Sequence, residues 1–96
     1  MQIALVIGSA VATIKDSQLH GRKLLLVRAA DETGAPGGPP LVAVDTVGAG
    51  AGDLVIVTAG SSARQTELTQ HAPVDLVIVG VIDSLEAGGS VTYRKS

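Results

Sequence analysis

Apolar positions in this chain come in short blocks separated by glycine, proline and polar clusters, the pattern of strands rather than of amphipathic helices. Residues Ile3 to Ile14 predict a first strand, apolar nearly throughout, with Gly8 and Ser9 inside it marking a bulge or a barrel corner. After a polar turn, Lys15 to Gly21, the segment Lys23 to Ala30 predicts a second strand. Its Leu24-Leu25-Leu26-Val27 run shows no polar alternation, so it needs cover on both faces. Val42-Ala43-Val44 and Leu54-Val55-Ile56-Val57 predict two more strands, expected to pair as a hairpin over Val42 to Thr58 across the glycine turn Gly48-Ala49-Gly50-Ala51-Gly52. Gly60 ends that run, and Ser61-Ser62-Ala63-Arg64 has the form of a capped helical turn. Pro73 introduces a long last strand, Val74 to Asp83. Gly88-Gly89 reads as a turn, with Ser90 to Tyr93 as a short edge strand blunted by Arg94 and Lys95.

Five strands with one short helical turn predict a mainly all-β fold, a small five-stranded barrel of OB-like or Greek-key type. Asp31 to Pro40, rich in glycine and proline, can be neither helix nor central strand. It is expected to be an exposed variable loop, or else a semi-rigid one projecting towards a partner.

Composition sharpens this picture. Ninety-six residues are expected to make one domain, 1–96. Apolar residues make up 46% and charged residues 17%, against about 25% charged in an ordinary globular domain. There is no Phe or Trp, and Tyr93 is the one aromatic, so the core must be Val, Ile, Leu and Ala. So small a barrel cannot hide that much apolar surface inside itself, and burial against further copies is the expected outlet. The net charge of −2 offers no electrostatic footprint for nucleic acid and no polybasic membrane patch. Without cysteine there is no disulfide framework and no thiolate metal site. No basic leader and no apolar run long enough for a membrane span stand out, and the chain reads as soluble and cytosolic.

Candidate chemistry is thin. Gly48-x-Gly50-x-Gly52 lacks the spacing and the following helix of a dinucleotide loop, and Asp53 next to it would repel phosphate, so tight backbone packing is the better reading. Ser61 or Ser62 with His20 or His71 as base would need an orienting carboxylate and an oxyanion hole that nothing marks. Asp45, Asp53, Asp75 and Asp83 lie at strand ends, where carboxylates accept turn amides. Arg64 is free to reach solvent or to pair with a carboxylate of its own or an adjacent chain. No catalytic, cofactor-binding or metal-ligating residues are assigned.

The run V-A-V-D-T-V-G-A-G-A-G-D-L-V-I-V, the following G-S-S-A-R and the segment P-V-D-L-V-I-V-G-V-I-D resemble the EutN/CcmL family, the pentameric vertex proteins of bacterial microcompartment shells. I-A-L-V-I-G-S-A-V-A-T-I-K and H-G-R-K-L-L-L-V are similar to the family's first two strands. The likeness fades over Asp31 to Pro40 and after Gly88. It implies a non-enzymatic OB-like barrel, a structural shell protein that assembles as a homopentamer. Such pentamers cap vertices between hexameric shell proteins of a carboxysome or metabolosome in the cytoplasm. It also implies that Gly48, Ala49, Gly50 and Gly52, with Gly60, Ser61, Ser62, Ala63 and Arg64, lie at a subunit interface or the central pore. The alternative, an OB-like module for oligonucleotides or oligosaccharides, would need a basic groove with stacking aromatics, which an acidic chain with one tyrosine does not supply.

Overall fold

The computed structural model describes residues 1–13, 21–59 and 76–96. Among the described residues seven strands run in order: β1 (Gln2–Ala10), β2 (Leu24–Ala29), β3 (Leu41–Asp45), β4 (Leu54–Ala59), β5 (Leu76–Val81), β6 (Ser84–Ala87) and β7 (Ser90–Arg94). The first five close into a barrel in the order β1-β2-β3-β5-β4, with β4 returning to β1. Every barrel pairing is antiparallel except that of β3 with β5, which is parallel. The closed five-stranded barrel anticipated from the sequence is therefore present. The described residues contain no helix, and the expected helical turn at Ser61 to Arg64 lies outside them.

One topological expectation is overturned. β3 and β4 do not form a hairpin, because β5 lies between them and pairs with both. Val44 and Asp45 of β3 face Val77 and Ile78 of β5, while Val57 of β4 faces the same Ile78 from the other side. A paired β3–β4 ribbon would leave a sheet edge open at β5. Inserting β5 satisfies both backbones and removes that edge.

Element bounds shift as well. β1 stops at Ala10, well short of Ile14, because Ala10 opposite Leu24 is its last pairing and Val11 stands fully in solvent. The register of β1 against β2 slips between Val6 and Gly8, so Gly8 does mark a bulge, where the strand turns a barrel corner. A second slip falls between Ile56 and Val57 of β4, across from Gly80 and Ile78. Beyond the barrel, Ser90 to Tyr93 is not an edge strand of the barrel sheet. It belongs to β7, which pairs with β6 as a separate two-stranded hairpin. Gly88 and Gly89 make its turn with φ of +60° and +83°, a double left-handed conformation that only glycine adopts without cost.

The barrel interior is aliphatic. Ala4 and Val6 of β1, Leu25 and Val27 of β2, Ala43 of β3, Val55 and Val57 of β4 and Ile78 of β5 form one buried cluster, joined by Ala49 from the glycine loop. Small and branched residues fill this narrow interior, as inward-facing side chains do in small barrels. The leucine run of β2 divides as strand geometry requires. Leu25 and Val27 point inwards and are fully buried, whereas Leu24 and Leu26 point outwards and are half-covered.

Candidate assembly face and glycine loop

Residues 45–53 cross one end of the barrel from β3 to β4, and their own polar groups fix the path. Asp45 Oδ1 accepts the Val47 N–H at 3.0 Å, and the Thr46 hydroxyl donates to the Ile78 carbonyl at 2.8 Å. Gly48 and Gly52 sit at φ of +79° and +89°, so two left-handed positions turn the chain. Between them Ala49 drops its methyl into the core and is fully buried. The Lys23 ammonium donates to the Ala49 carbonyl at 2.5 Å and lies 3.8 Å from Asp45 Oδ2, tying the loop to the entrance of β2. Asp53 closes the turn: its Oδ2 accepts the Gly50 N–H at 2.9 Å, and its own N–H donates to the Gly50 carbonyl at 3.0 Å. The Gly52 N–H then donates to the Val6 carbonyl, which carries the loop into the β1–β4 ladder.

This geometry bears out the expectation that Asp45 and Asp53 accept turn amides. Asp53 also occupies the Gly50 amide, and its charge lies inside the glycine loop. Within the single chain, the tight backbone packing expected at these glycines is not found. A Cβ placed on Gly48, Gly50 or Gly52 meets no atom of this chain within 4 Å. Conformation is the requirement at Gly48 and Gly52, and the space above Gly50 is open within the single chain. Gly48, Ala49, Gly50 and Gly52 do come together in one loop. Gly60, Ser61, Ser62, Ala63 and Arg64 lie outside the described residues, as do His20, His71 and Asp75.

An apolar face flanks the loop. On the outer surface of the β1–β2–β3 sheet, Leu26 stands between Gly8 and Val42, and Ile7 is exposed beside them. Val42 is half exposed, and Val47 in the loop and Val11 just past β1 are exposed as well. The unalternating leucines of β2 foretold an outer apolar row. Its extension onto Val42 of β3 depends on register and was not legible in the sequence.

At the opposite side the Asp31 to Pro40 loop is ordered by its first residue. Asp31 Oδ1 accepts from the Thr33 hydroxyl at 2.6 Å, the Thr33 N–H at 2.8 Å and the Ala35 N–H at 3.1 Å. Those donors, the Thr33 hydroxyl foremost, hold its carboxyl below the ordinary value of 3.8. Pro36 bridges Ala30, and the Gly37 N–H donates to the Ala29 carbonyl. A shallow groove of about 310 Å³ runs along these residues, lined by Ala29, Ala30, Asp31, Ala35, Pro36 and Gly37. Its one charged group is already engaged by the loop. Sequence reasoning missed the roles of Lys23 and Gly34. Gly34, at φ of +84°, lies under the Tyr93 ring, so the single aromatic side chain is used within the chain. Among the described residues no three His, Cys, Asp or Glu side chains cluster as metal ligands would, and no helix is long and apolar enough to cross a membrane.

The family described as "Ethanolamine utilisation protein EutN/carboxysome" matches residues 1–83. The chain is 42% identical over 95 residues to the bacterial microcompartment shell vertex protein EutN of Salmonella typhimurium, covering 99% of this chain and 96% of that protein. It is 41% identical to the carboxysome shell vertex protein CcmL of Synechocystis, again over 95 residues, 99% of this chain and 95% of that one. The solved structure of Gloeobacter violaceus CcmL superposes with a TM-score of 0.91 at 39% identity, covering 99% of this chain and 98% of that chain. The pentameric microcompartment shell protein GrpN of Rhodospirillum rubrum superposes with a TM-score of 0.81 at 46% identity, covering 91% and 99%. The closed barrel is the fold shared with these solved microcompartment and carboxysome shell proteins, and the chain belongs to the EutN/CcmL family.

Proposed function

We propose that this chain is a structural shell protein whose 96 residues act as one vertex domain, closing in five copies to cap the corners of a bacterial microcompartment in the cytoplasm. The observation that carries the reading is the outer apolar row in which Ile7 and Val42 are exposed and Leu24 and Leu26 between them are partly so. It stands on a barrel whose interior is already filled by its own aliphatic side chains. Uncovered, that row would be a liability in water, and a head-to-tail contact repeated around an axis covers it in every copy and leaves no open end. The work of such a protein is geometric, and it has no catalytic role. Flat sheets of hexameric shell proteins are its partners at the vertex.

In the ring, Gly48, Ala49, Gly50 and Gly52, with Gly60, Ser61, Ser62, Ala63 and Arg64, face neighbouring copies or the central opening. The open space above Gly50 supports this placement, since bare backbone lets symmetry-related loops converge without side-chain collision. Arg64 ties adjacent copies through a charge-assisted hydrogen bond. Native mass spectrometry of the purified chain tests the whole reading: a five-copy species is expected. A soluble, folded monomer at high concentration overturns it. An undiminished five-copy species in Arg64→Ala would reject the role of Arg64 alone.

A further inference from the structure

We propose that the C-terminal hairpin is a strap that sets the shape of the glycine loop, acting through Asp53. Among the described residues β6 and β7 share no strand pairing with the barrel, and discrete contacts tie the hairpin to it. The Thr92 hydroxyl donates to the Glu32 carbonyl, and the Tyr93 ring lies over Gly34 next to Leu54. The Ile82 N–H donates to the Leu54 carbonyl at 2.8 Å, and the Lys95 N–H donates to the Asp83 carbonyl at 2.8 Å. Together these bring the end of β7 back to the start of β4. There the Lys95 ammonium lies 3.8 Å from Asp53 Oδ1, while Oδ2 of the same carboxylate holds the Gly50 N–H at 2.9 Å.

A single carboxylate therefore joins the tail to the loop. An aspartate side chain has two torsions, and the cation at one oxygen biases the rotamer that points the other at Gly50. Lys95 is in this sense a positioning residue: it touches Asp53 and acts on Gly50 only through it. The consequence for assembly rests on the reading that this loop faces neighbouring copies; the coupling itself does not.

Amide hydrogen exchange on the full chain, resolved by residue with NMR, tests the strap. In Lys95→Glu, repulsion at Asp53 should raise Gly50 exchange by about two- to fivefold, the scale of an exposed ion pair. Lys95→Arg should restore the wild-type rate, and Thr92→Val, which loosens the far end of the strap, should raise it to a smaller degree. Exchange at Val27 and Val57 in the core should not change in any of them. Unchanged Gly50 exchange in Lys95→Glu overturns the proposal, and so does an equal rise at Val57, which would report general loosening. Native mass spectrometry of the same samples separates the two readings. Faster Gly50 exchange with the copy number intact keeps the strap and rejects the loop as a subunit contact.

Discussion

Tyr93 lies so close over Gly34 that a Cβ on the glycine would stand 2.8 Å from the ring Cδ1. Gly34 also sits at φ of +84°. Two independent requirements, backbone and space, thus meet at one residue of a loop that otherwise looks permissive. The contact docks the C-terminal hairpin on the segment between β2 and β3, two parts of the chain far apart in sequence.

Gly34→Ala should therefore destabilise the protein. The left-handed conformation alone costs about 1–2 kcal/mol for a residue with a Cβ, and the clash must displace the tyrosine ring as well. Urea unfolding followed by Tyr93 fluorescence would read both effects. An alanine variant with wild-type stability and emission would mean that the ring does not rest there.

The glycines of the 45–53 loop should respond unequally. Gly48→Ala forces a Cβ into a left-handed position and should lower stability by about 1–2 kcal/mol. Gly50→Leu meets open space within its own chain, so the barrel should keep its unfolding midpoint. If copies converge at this loop, the five-copy fraction in native mass spectrometry should fall all the same. Full assembly by Gly50→Leu would remove the loop from the interface.

Adjacent leucines of β2 make a cleaner contrast. Leu25 is 2% exposed in the core, and Leu25→Ala should cost about 2–5 kcal/mol by leaving a cavity. Leu26 is half-covered on the outer face, and Leu26→Ala should cost the isolated barrel no more than about 1 kcal/mol. Its larger effect should appear in assembly. Unfolding midpoints measured over a range of protein concentrations separate the two, because only an assembled state makes the midpoint depend on concentration. Equal effects of both variants at every concentration would count against the outer face as an interface.

Asp31 predicts a local pH response. Its carboxyl is held below 3.8 by the Thr33 hydroxyl and by the Thr33 and Ala35 amides. A depressed carboxylate contributes stability that is present above its unfolded value and is lost as pH falls through the lowered folded one. The loop should thus keep its form at neutral pH and loosen only in acid below 3.8. Carboxyl chemical shifts titrated by NMR should place the midpoint under the ordinary value in the wild type, and nearer to it in Thr33→Val. A titration unaffected by Thr33→Val would show that the hydroxyl is not the principal donor.

Much of this molecule is local and therefore readable in the sequence. Blocks such as Leu24 to Val27 and Leu54 to Val57 can only be strands, because branched and aliphatic side chains between turn residues fit a pleated surface. Gly8 announced its bulge, Gly88-Gly89 its turn, and Asp45 and Asp53 their turn amides. The surplus of apolar residues over what five short strands can enclose announced an outer face in need of cover. Which strands lie side by side was not written locally. Nothing in Val42 to Thr58 distinguishes a hairpin from a crossover, since a glycine-rich loop serves both. Only closing the barrel, which leaves no backbone edge unpaired, places β5 between β3 and β4. The same holds for Tyr93 on Gly34, Lys23 on Ala49 and Lys95 on Asp53. These contacts join residues 59, 26 and 42 positions apart, and only the packed chain brings such residues within reach of one another.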